Sequence, residues 1–126
     1  MATVDITAGT LTVHVSGLDR VLAFRGRLEV PLSHVVGAEY NPKETQQELE
    51  AFWKETFIPG AVAHSDVLVG TFTEHGDRIF WDVHHPDRAV IINLSHEKYA
   101  KIIVEVDNPQ ETASRIQAVL SEKHGV

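Results

Sequence analysis

Asp82, His84, His85 and Asp87 bring two carboxylates and two imidazoles together within six positions of a chain that carries eight histidines and 18 acidic residues in all. On a strand, residues two apart point to one face, so Asp82 and His84 would stand side by side. A carboxylate beside imidazoles can ligate zinc or nickel, and it can also move protons. The same stretch serves equally as a turn, because Pro86 pre-sets φ and Asp87 can bond its own backbone. We take Asp82, His84, His85 and Asp87 as the candidate polar site for a metal, a small molecule or an enzymatic step. His96 joins it only if the following loop reaches the hairpin. Ser33-His34 and Ser95-His96 place a hydroxyl next to an imidazole, but neighbours on a strand face opposite ways and do not form a nucleophile–base pair. The sequence holds no Gly-x-Ser-x-Gly elbow and no phosphate-cradling glycine loop. With no cysteine, disulfides and thiolate sites are excluded. No catalytic residue, cofactor or resident metal is therefore assigned.

A second set of residues points to partners rather than chemistry. Leu49, Phe52, Trp53 and Phe57 recur at helical spacing in an otherwise charged segment. Phe80 and Trp81 are neighbours on a strand and point to opposite faces, so either both are covered, one by the barrel interior and one by a helix, or one is exposed as an anchor for a partner. Leu49, Phe52, Trp53, Phe57 and Trp81 are the candidate partner-binding residues, aromatic anchors being favoured at interfaces. The formal charge of −7 disfavours nucleic acid and acidic membrane lipid as partners. A protein, or a second copy of the chain, is the partner expected.

The elements that must position these residues are mostly strands. At 126 residues the chain suits one domain spanning 1–126. Leu11, Val13 and Val15 alternate with polar residues. Arg20 to Arg25 reads as a second strand. Leu28, Val30 and Leu32 make a third, held to an edge or interrupted by Pro31. Asn41-Pro42 opens a helix over about 42–57, with Glu44 placed to reach back to the cap. Val67 to Phe72 follows as a strand. Ile79 to Val83 and Arg88 to Leu94 are expected to form a hairpin around His84–Asp87. Lys101 to Val106 is the last strand, and Asn108-Pro109 starts a terminal helix over about 109–123. The N-terminus lacks a secretory pattern and no apolar run is membrane-length, so a cytoplasmic location is expected.

The order of elements, with the segment from Arg78 to Leu94, then Tyr99 and Ile103 to Pro109, resembles small bacterial proteins of the pleckstrin-homology-like type. That resemblance implies a mainly β fold with α elements. It would be a seven-stranded antiparallel barrel with an inserted helix and a C-terminal helix capping the open corner. It also implies an interaction or self-association module, hence an oligomer. Lipid-binding relatives use basic residues around the first strand pair. Ser16 to Arg20 offers one Arg and one Asp there, so acidic lipid is not expected.

Overall fold

The computed structural model describes residues 2–15, 26–55, 62–63, 68–74 and 76–123. Strands β1 (Ala2–Thr7), β2 (Thr10–Val15) and β3 (Arg27–Pro31) form a three-stranded antiparallel sheet in that order. Ala8 and Gly9 join β1 to β2 with φ of 50° and 80°. Two positive φ values give the two-residue hairpin turn whose twist matches the strands. β1 was not anticipated, although Val4 and Ile6 alternate there with Thr3, Asp5 and Thr7. The expected strand from Arg20 to Arg25 lies outside the described residues. β3 ends at Pro31 and forms a sheet edge, as the missing N–H requires. A 3-10 turn (Leu32–His34) then carries the chain to a different sheet.

That second sheet has six strands. In chain order they are β4 (Val35–Glu39), β5 (Val62–Ala63), β6 (Leu68–Glu74), β7 (Asp77–Val83), β8 (Ala89–Leu94) and β9 (Lys101–Glu105). Their spatial order is β4-β8-β9-β7-β6-β5. The mainly β fold with two helices is as expected, and the described residues form nine strands in two sheets, which do not show the expected seven-stranded antiparallel barrel. The expected hairpin between Ile79–Val83 and Arg88–Leu94 does not form either. β9 lies between the two strands, antiparallel to β8 and parallel to β7. The reason is burial: Ile102, Ile103 and Val104 are all fully covered, and only a central strand buries both faces.

Each face of the six-stranded sheet has its own core. Val69, Phe80, Val90, Ile92, Ile102 and Val104 point towards the three-stranded sheet and pack with Leu11, Val13, Leu28 and Val30. Phe72, Ile79, Trp81, Ile91 and Ile103 point the other way and pack with Leu49 of helix α1 (Pro42–Glu55). The period of two along each strand assigns the faces. α1 starts where expected, and Asn41 Oδ1 caps it by accepting the Glu44 N–H at 3.2 Å.

Helix α2 (Pro109–Lys123) has the boundaries expected from sequence. Ala113, Ile116 and Leu120 are its buried stripe in the inter-sheet core. The residues flanking Ile116 serve the two sheets separately. Arg115 Nη2 donates to the Val4 carbonyl at 2.6 Å, on the outer edge of β1. Gln117 Oε1 accepts the Ala38 N–H at 3.3 Å, on the outer edge of β4. α2 therefore fills the seam between the sheets and occupies polar backbone groups on both edges.

Candidate functional site

The polar site expected around the β7–β8 connection is divided by the fold. Asp82 is fully buried on the face of β7 that looks into the inter-sheet core. His84 is half-buried and His85 exposed, both beyond the end of β7. Asp87 is exposed in the 3-10 turn Pro86–Arg88, and its carbonyl accepts the Tyr40 hydroxyl at 2.9 Å. The structure therefore brings His84, His85 and Asp87 to one tip and leaves Asp82 inside.

Glu105 supplies the carboxylate of that tip instead. Its Oε1 accepts the His84 N–H at 2.8 Å and the His85 N–H at 2.6 Å, while Oε2 lies 3.1 Å from His85 Nδ1. Burial pushes the Glu105 carboxyl up, but the bonds from His84 and His85 outweigh it and hold the group below its ordinary range. Glu105 is a lone charge in the run Ile102-Ile103-Val104-Glu105-Val106. That isolation is the signal that could have revealed it. Its chemistry here is to fasten a turn: an anion satisfies two backbone donors that no ladder reaches.

Other ionisable side chains pair between elements distant in sequence. His34 Nδ1 meets Glu97 Oε2 at 2.5 Å and ties the turn after β3 to the loop after β8. The His96 ring stands 6.2 Å from the His34 ring, and His96 adopts φ of 58°. Beside α1, Lys101 Nζ reaches Glu48 Oε1 at 2.5 Å. Glu44 there is raised by its hydrogen bond with Glu39, then by burial and the charges of Glu39 and Glu48, with Lys101 opposing. Among the described residues no group of three or more His, Asp or Glu is disposed to hold a metal ion.

The expected partner-binding residues lie differently from a surface patch. Leu49 and Trp81 are each 1% exposed and belong to the core under α1. The second face of the six-stranded sheet gives Leu49 of α1 an apolar floor of Phe72, Ile79, Trp81, Ile91 and Ile103. Phe52 and Trp53 lie on α1, and Phe57 lies outside the described residues.

An unexpected feature is the outer edge of β3. Val15 N–H donates to Gly26 O, and Leu32 N–H donates to Gly9 O. With the register Val13↔Leu28 and Leu11↔Val30, these bonds turn Leu28 and Val30 towards β2. By alternation the N–H and C=O groups of Arg27 and Glu29 point outwards. No hydrogen-bond partner occupies them among the described residues. A cleft of about 430 Å³ separates this edge from Glu97, Lys98 and Tyr99. Tyr99 is set edge-on against Phe80, ring centroids 5.9 Å apart.

No family model, curated protein or solved structure matches the chain. No helix among the described residues is long and apolar enough to cross a membrane.

Proposed function

We propose that this chain is a protein-interaction or self-association module of pleckstrin-homology-like type, acting in the cytoplasm without catalysis. The outer edge of β3, without a partner among the described residues, carries the reading. An edge strand with outward donors and acceptors is a ready template for pairing with another polypeptide. The helix that closes the seam after the last strand supports the pleckstrin-homology-like relationship. The net charge of −7 supports a polypeptide partner over an acidic bilayer or nucleic acid. Sedimentation of the epitope-tagged chain in its native cell extract tests the reading. A species well above the 14.0 kDa of one chain is expected. Migration as a lone chain at all extract concentrations overturns it.

A further inference from the structure

We infer that the outer edge of β3 pairs with the same edge of a second copy, antiparallel and two-fold, with Leu28 on the axis. This rests on the self-association side of the reading above and names its surface and partner. The edge is self-complementary in three respects. First, Arg27 and Glu29 direct both N–H and C=O outwards, so each copy brings two donors and two acceptors. Setting Arg27 opposite Glu29 of the second copy satisfies all of them in two closely spaced antiparallel pairs. Second, the side chains of that pairing are opposite in charge on the solvent face, and like charges directly opposite would be unfavourable. Within one strand Arg27 Nη2 and Glu29 Oε1 already meet at 3.0 Å. Third, Leu28 of each copy meets its equivalent on the core side, beside the cleft lined by Tyr99.

Other registers fail on the same grounds. An axis at Arg27 opposes two arginines, and an axis at Glu29 opposes two glutamates. A slip by one residue turns each strand's face over and mismatches the outward groups. Pro31 has no N–H, so the ladder stops there. The pairing would join two three-stranded sheets into one continuous antiparallel sheet, an isologous contact that closes at two copies.

The test is sedimentation equilibrium on the full chain and on Arg27→Glu, Glu29→Arg and Glu29→Pro. The parent is expected to dimerise. Each charge variant opposes like charges twice per dimer, so self-association should weaken by about tenfold or more. Mixing Arg27→Glu with Glu29→Arg restores two opposite-charge pairs, and a heterodimer should form at parental strength. Glu29→Pro removes an outward N–H that β2 does not use and should abolish the dimer. Circular dichroism on each variant confirms that it folds, and the mixing experiment decides should Glu29→Pro fail to fold. A monomeric parent overturns the inference while leaving partner binding to the extract experiment. A dimer unaffected by the charge variants and by mixing also overturns it, but keeps self-association and moves the interface elsewhere.

Discussion

The edges of β1 and β4 and the edge of β3 end sheets in the same way, yet the molecule treats them differently. On the α2 side, Arg115 and Gln117 reach the outer groups of β1 and β4, while Ile116 between them fills the seam. On the other side, β3 faces a cleft, and its outward groups have no hydrogen-bond partner among the described residues. One helix can close two edges because the residues before and after a buried position each lie about 100° from it, on opposite flanks of the helix. The contrast teaches that an open edge here is selective. Backbone pairing to other chains is blocked on the α2 side and available at β3.

The largest expected effect breaks the closed side. Ile116→Ala should cost on the order of 2–5 kcal/mol, because the side chain is fully buried between two sheets that cannot collapse freely. Chemical denaturation reads it, and an unchanged midpoint would show that α2 does not hold the seam.

Glu105→Gln gives an intermediate effect, at a fastening that lies inside the closed half. Two backbone donors lose a charged acceptor, so a loss of about 1–3 kcal/mol at neutral pH is expected. The sign with pH follows from the depressed carboxyl. A group held below its unfolded value stabilises fully above that value, about 4.3 for Glu, and loses the contribution as pH falls through the folded value. Parent and variant should therefore converge in stability in acid. A constant difference at all pH values would remove the ionised carboxylate from the account.

The smallest effect sharpens the comparison itself. Gln117→Ala frees the Ala38 N–H on the β4 edge and should cost about 0.5–1.5 kcal/mol. Hydrogen exchange at Ala38 should accelerate, while the β3 edge, already open, should not change. Slow exchange at Ala38 in the variant would mean that something other than Gln117 covers that edge.

Local chemistry was legible in the sequence and long-range pairing was not. The cap at Asn41, the start at Pro42 and the full extent of α2 depend on neighbouring residues, and their signals are written in sequence. Pro31 marks its edge for the same reason. Strand partners depend on which face each strand must bury, and the alternation of Ile79, Trp81 and Val83 fits a hairpin as well as a parallel neighbour. The expected hairpin between β7 and β8 failed at this point. The lone charge of Glu105 in an apolar run marks it, but its partners, the His84 and His85 N–H groups and the His85 ring, lie about twenty residues away and are not legible in the sequence. The β3 edge is legible only after the register with β2 is known.

The placement of β9 sets an order of events for folding. β7 and β8 are synthesised before it, yet they cannot touch their final neighbour until residue 105 exists. Until then their facing edges stay open, with Phe80, Trp81 and Val90 to Ile92 lacking the strand that covers them. A central, largely buried strand is therefore the last of the described strands to arrive. Its insertion converts two loose halves of a sheet into one cooperative unit. Amide protection in pulse-labelled refolding should appear in β7, β8 and β9 together, with no earlier stage in which β7 and β8 are protected alone.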